Sequence, residues 1–293
     1  MRFNKDSYWI KSGIYSLLQN GMTLIFGFGG FYLLVRIFSK EEFGAWSLFL
    51  TAVGLLEVIR QSVVRNGLIR FMASEPQEDH SNIIAGSAFL NLGITLFAII
   101  VIQSGIPLLD SMWDASELTD PFHIYCITSI ILIPYFQAEF LLQANMNFRG
   151  VFYCNLARNG SFFLFILIAF LDIIDISLTK LALLQLVAAI IGVGISYLFI
   201  KTAFIWPRKM DWQWVKKQFH YGKYSVGTGI CAVLNTSLDQ FMIGEFLSKP
   251  AVASYNIASR FPNLINIPAT VFSSLLFPKS ARVDVKNKAE LKS

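Results

Sequence analysis

Six ionisable residues stand in stretches that are otherwise largely apolar: Glu57, Arg60, Glu139, Arg158, Asp239 and Arg260. Placing Lys, Arg or Asp at the centre of a membrane helix costs about 2.5–3.5 kcal/mol on insertion scales, so such groups turn towards one another or towards a cavity. Two chemistries follow from the residue types. A guanidinium offers a planar fork of donors that matches a phosphate or diphosphate. A carboxylate can hold a coupling proton or sodium ion. Spacing also suggests partners. Glu57 and Arg60 are one helical turn apart, which suits a local ion pair. Glu139 and Arg158 share one half of the membrane and can pair between neighbouring helices. Asp239 and Arg260 lie about 10 Å and about 15 Å from the same end of a helix hairpin, at 1.5 Å per residue. Each pair reads equally as a structural lock between helices or as part of a ligand or ion site.

Other chemistry is missing. There is no phosphate-binding glycine loop, no H-E-x-x-H and no plausible nucleophile triad, so the sequence does not read as an enzyme. The histidines His80, His123 and His220 fall near expected membrane edges, and Cys126, Cys154 and Cys231 have no metal or redox spacing. No metal or cofactor is expected beyond a coupling H+ or Na+.

The elements that must position these charges are membrane helices. Of 293 residues 55% are hydrophobic and 15% charged, with a mean hydropathy of +0.55. Soluble domains carry about 25% charged residues. No Asp, Glu, Lys or Arg occurs across the 24 residues of Ser12–Val35, the 29 of Ser81–Leu109 or the 20 of Leu181–Ile200. A spanning helix needs about 20 such residues, because lipid offers backbone groups no hydrogen-bond partner. Eight spans are expected, near 12–36, 43–62, 82–106, 121–145, 150–173, 180–203, 222–246 and 250–278. The fold class is therefore an all-α polytopic membrane protein. The basic start "MRFNKDSYWIK" reads as part of a retained first span, since the apolar stretch is too long for a signal peptide.

With the N-terminus inside, 18 of the Lys and Arg residues fall on inner segments and four on outer ones (Arg36, Lys40, Lys180 and Lys249). That asymmetry places both termini in the cytoplasm and gives the net charge of +5 a membrane-surface cause, with no hint of nucleic acid. On the longest inner connector Trp212, Val215 and Phe219 share a helix face beside Lys216 and Lys217, a pattern suited to lying on anionic membrane lipids. An ordinary basic loop is the plainer alternative. Arg65 and Arg70 stand at the inner end of span 2, where they can serve as cytoplasmic entry contacts.

One short stretch is written twice. "SKEEFGAWSLF" from Ser39 and "SKPAVASYNIA" from Ser248 align without a gap at an offset of 209 residues, each opening the second helix of a hairpin. An offset of six spans preserves orientation, as in a parallel repeat. The chain divides into a first six-helix bundle (1–204), a cytoplasmic interfacial linker (205–221) and the first two helices of a second, parallel-repeat bundle (222–293). At this offset Arg260 corresponds to Thr51 and Asp239 to Gly30, so the first half lacks both charges.

The segments "RIFSKEEFGAWSLF", "SLDQFMIGEFLSKPAVASYNIASR" and "SSLLFPKSAR" resemble the polysaccharide-exporter branch of the multidrug/oligosaccharidyl-lipid/polysaccharide superfamily. The shared features are an acid late in span 7, a glycine-ended helix, a short connector, a small-small-aromatic helix start and a proline closing span 8. The nearest members are the flippases for O-antigen and capsule repeat units. The resemblance implies two six-helix bundles around a central cavity and usually 12 to 14 spans. This chain then reads as a C-terminally truncated member, completed by the missing C-terminal helices or by a second copy. It implies alternating-access flipping of undecaprenyl-diphosphate-linked oligosaccharides across a bacterial inner membrane, alongside the polysaccharide polymerase machinery. Arg260 and Arg158, with Arg65 and Arg70, then become diphosphate contacts, and Asp239, Glu57 and Glu139 ion-coupling groups. A cation-coupled drug or metabolite exporter of the same superfamily, and a non-functional truncated product, are the rival readings.

Overall fold

The computed structural model describes residues 5–113, 116–200 and 211–259; Arg260 and the remainder of the last expected span lie outside them. Helices α1 (Lys5–Ile37), α2 (Lys40–Arg60), α3 (Asn66–Ser74), α4 (His80–Trp113), α5 (Thr119–Ala144), α6 (Phe148–Phe170), α7 (Leu178–Phe199) and α8 (Trp212–Phe246) follow in order, and α9 opens at 249–259. No strand occurs among the described residues. Five segments are long and apolar enough to cross a membrane: Lys40–Ser74, Gln77–Leu109, Ser116–Ala144, Phe148–Phe170 and Leu178–Phe199. Helix α1 carries the 24-residue uncharged run Ser12–Val35, and α8 is long but more polar. The protein is an all-α polytopic membrane protein.

Helix starts are set by side-chain caps that satisfy otherwise orphaned N–H groups. Ser39 Oγ accepts from the Glu42 N–H at 3.2 Å while Glu42 Oε2 accepts from the Ser39 N–H at 3.0 Å, a reciprocal capping box. The twin serine makes the serine half of that cap at α9, where Ser248 Oγ accepts from the Ala251 N–H at 3.3 Å. One turn on, Ser47 donates to the Phe43 carbonyl and Asn256, its counterpart at the 209-residue offset, donates to the Val252 carbonyl. The repeated stretch therefore folds by the same local bonds both times.

The repeated helix starts also meet. Phe43, Ala45 and Trp46 share one buried cluster with Val252 and Ala253. Gly44 lies so close to the Lys249 carbonyl that a Cβ there would collide with it. Beside this contact Lys249 reaches Glu117 at 2.8 Å and Glu41 at 3.7 Å, tying α9 to the α4–α5 connector and to the first turn of α2.

A second cluster occupies the end of the bundle rich in Lys and Arg. There Val63, Leu68, Ile83, Phe140 and Leu142 pack with Trp214 and Val215 of α8. The helix from Lys40 passes through a π-helical turn, Gln61–Arg65, before continuing as α3. Gly222 of α8 sits against Val63 in that turn, with space for no side chain. The basic connector and the seventh expected span are drawn as one helix from Trp212 onward, pinned by Gln218, whose Nε2 donates to the Ile83 carbonyl at 2.8 Å.

Candidate functional site

Between the two apolar clusters a charged seam runs through helices α2, α4, α5 and α6. Glu57 and Arg60 form the expected pair at 3.2 Å. Arg60, only 2% exposed, also donates to Thr95 Oγ1 at 2.9 Å and lies 4.8 Å above the Phe136 ring. Glu57 Oε1 accepts from the Tyr125 hydroxyl at 2.7 Å. Helices α2, α4 and α5 are joined here by bonds that hold both charges. Removing one partner would leave the other ionised and buried, the costly half of any interior ion pair.

Glu139 and Arg158 do not pair directly. Glu139 Oε1 accepts from two amides, Gln143 Nε2 at 3.2 Å and Asn155 Nδ2 at 3.1 Å. Each amide turns its oxygen outward. Gln143 Oε1 accepts from Arg65 Nε at 2.7 Å, and Asn155 Oδ1 accepts from Asn159 Nδ2 at 3.5 Å. Asn159 Oδ1 in turn accepts from Arg158 Nε at 3.4 Å. One carboxylate thus faces two arginines through amide bridges, because α5 and α6 place Asn155, not Arg158, within reach of it. The Arg158 guanidinium instead covers the rings of Tyr135 and Phe136 at 4.8 and 5.4 Å.

This chain of bonds ends at a cavity. A space of about 590 Å³ opens between α1, α2, α6, α8 and α9. Its polar lining is Thr23, Ser47, Thr51, Asn159, Ser237, Gln240 and Asn256, and its apolar walls carry the rings of Phe26, Phe31, Trp46, Phe162 and Phe163. No Asp, Glu, Lys, Arg or His is among the described residues lining it. Gln240 Oε1 accepts from both Thr51 Oγ1 at 2.8 Å and Asn256 Nδ2 at 3.0 Å, which joins the three helices of the repeat contact at the cavity wall. Gly27 lines the cavity with open space where a side chain would stand, whereas Gly29 is closed off by the Phe163 ring.

None of the described residues named as diphosphate or ion-coupling contacts lines this cavity. Arg158 belongs to the seam, one residue away from the cavity-lining Asn159. Arg65 is half-buried at the far end of the amide chain. Arg70 is exposed and stacks 4.5 Å from the Tyr221 ring. Asp239 is exposed and accepts from the Tyr255 hydroxyl at 2.6 Å; its expected partner Arg260 lies outside the described residues. Sequence reading did not single out Asn159, Gln240, Asn256, Ser47 or Thr51. Uncharged polar residues are common glue between membrane helices, so no single one stands out. The available signals were the four-residue spacings of Ser47 with Thr51 and of Asn155 with Asn159, each putting two polar groups on one helix face.

A family model described as "Polysaccharide biosynthesis protein" matches residues 33–293. No curated protein and no solved structure matches the chain.

Proposed function

The chain belongs to the polysaccharide biosynthesis protein family, and from that premise we propose that it is a membrane transporter for lipid-linked oligosaccharide repeat units. It flips undecaprenyl-diphosphate-linked sugars from the cytoplasmic to the outer leaflet by alternating access, in a bacterial inner membrane with both termini in the cytoplasm. The Lys and Arg asymmetry of the connectors supports that orientation.

The observation that carries the reading is the lining of the cavity between α1, α2, α6, α8 and α9. A sugar ring presents hydroxyls around its edge and C–H groups on its faces. Amides and hydroxyls such as Asn159, Gln240, Asn256, Ser47 and Thr51 answer the first, and the rings of Phe26, Trp46 and Phe162 answer the second. Polar groups fixed by their own bonds, as Gln240 is by Thr51 and Asn256, are aimed before a ligand arrives. We assign the sugar unit to this neutral cavity. The diphosphate falls to Arg260, four residues beyond the cavity-lining Asn256 in sequence, and ion coupling to Asp239, one residue before the cavity-lining Gln240.

The test is made in cells that carry the gene in its natural setting. Its loss removes surface polysaccharide and leaves lipid-linked units on the inner leaflet, and Arg260→Gln does the same with protein level unchanged. Normal surface polysaccharide after gene loss overturns the reading. A chain that instead exports cationic dyes, needs Asp239 and ignores Arg260→Gln is a drug exporter.

A further inference from the structure

Away from the cavity, α3 and α8 enclose a shallow concavity of about 710 Å³ at the basic end of the bundle. Arg70, Lys216, Lys217 and Lys223 line it, with His220 beside them. We propose that it binds the headgroup of an anionic phospholipid of the inner leaflet, a resident lipid distinct from the cargo. The membrane side follows from the orientation given above; the binding itself does not depend on transport.

The helix geometry builds the site. One face of α8 is fixed to the bundle. Trp214 and Val215 are buried, Gln218 bonds the Ile83 carbonyl, and Gly222 abuts the π turn at Val63. The intervening positions 216, 217, 220 and 223 are turned away from that contact and face Arg70 across the groove. Three of the cations rest on rings: Arg70 over Tyr221 at 4.5 Å, Lys217 over Trp214 at 4.1 Å and Lys223 over Tyr224 at 4.9 Å. A ring steadies a cation without neutralising it. No ion pair to a carboxylate is formed by any of these four among the described residues. Asp211, the acid just before α8, caps that helix by accepting from the Gln213 N–H at 2.8 Å.

Four cations in one groove that pair with no carboxylate among the described residues repel one another until an anion enters. Charge alone does not select a lipid, but the rim does. Phe219 and Tyr224 of the groove's lining are 53% and 67% exposed, and Trp212, 54% exposed, stands one turn before Lys216 on the same helix. Exposed aromatics beside basic residues mark the headgroup level of a bilayer, where rings sit among acyl chains and glycerol. Basic pockets between helices on this side of a membrane suit anionic headgroups.

The experiment uses the full chain in bilayers containing brominated phosphatidylglycerol or brominated phosphatidylcholine. Quenching of Trp212, isolated by subtracting the signal of Trp212→Phe, reports lipid occupancy. The expected result is a preference for phosphatidylglycerol that falls by about fivefold for each cation removed, and vanishes in Arg70→Gln/Lys216→Gln/Lys217→Gln/Lys223→Gln. Arg70→Lys/Lys217→Arg retains it, which separates charge from misfolding. Equal quenching by both lipids, or a preference unchanged in the fourfold variant, overturns the proposal. Displacement by inorganic pyrophosphate overturns it as well, marking a soluble-anion site. So does displacement by a polyprenyl diphosphate when unbrominated phosphatidylglycerol fails to compete, which marks a cargo site.

Discussion

The charged seam and the cavity beside it share helices α2 and α6. On α2, Glu57 and Arg60 turn into the seam while Ser47 and Thr51 line the cavity. On α6, Arg158 lies over the seam rings and Asn159, the next residue, lines the cavity. Charge is gathered where helices pack closely and partners are permanent. Neutral donors and acceptors are left where space remains. A buried charge needs a fixed partner to offset its desolvation, and a cavity that fills and empties cannot offer one. An amide loses far less when its partner leaves, about the value of one hydrogen bond. The arrangement therefore separates holding the bundle together from meeting a ligand.

The largest expected effect attacks the seam. Arg60→Ala leaves Glu57 with the Tyr125 hydroxyl alone and should destabilise the fold by about 3–5 kcal/mol, read as loss of folded protein in a detergent thermal-shift assay. Next is the contact between the repeated stretches. Gly44→Val drives a side chain into the Lys249 carbonyl and should cost about 1–3 kcal/mol, while Gly27→Val, facing open cavity space, should leave the melting temperature unchanged. If the two glycine variants behave alike, the repeated helix starts do not pack as described.

Cavity substitutions sharpen the contrast in the other direction. Asn159→Leu removes a cavity hydrogen-bonding group and the acceptor for Arg158, and should lower transport by about tenfold with folded protein retained. The smallest effect is local. Ser39→Ala removes a helix cap and should cost about 1 kcal/mol, measured as a shift in melting temperature with transport preserved.

Much of this architecture was legible in the sequence because lipid imposes it. Long uncharged runs such as Ser81–Leu109 can only be helices, and the Glu57–Arg60 spacing fixed a pair that any helix would form. The twin serines announced twin caps for the same reason, since a cap is a matter of neighbouring residues. What the sequence hid depends on rotation and on contacts distant in the chain. Whether Arg158 or Asn159 enters the cavity is a question of 100° about the α6 axis, which a period alone cannot settle. That Glu139 meets Arg158 only through Asn155 and Asn159 follows from how α5 and α6 cross. The reach of α8 from Trp212 to Phe246 was masked by its polar, basic first half, which reads as a connector until Gln218 and Gly222 are seen against the bundle.

The central claim is that the neutral cavity, not the charged seam, meets the sugar. Its most direct measurement is flipping of a lipid-linked oligosaccharide in proteoliposomes, comparing Gln240→Leu and Asn159→Leu with Arg158→Lys, each matched for folded protein. Both cavity variants should lose flipping while Arg158→Lys, which keeps the seam charge, flips at the wild-type rate. Unimpaired flipping by the two cavity variants, with loss in Arg158→Lys, would contradict it.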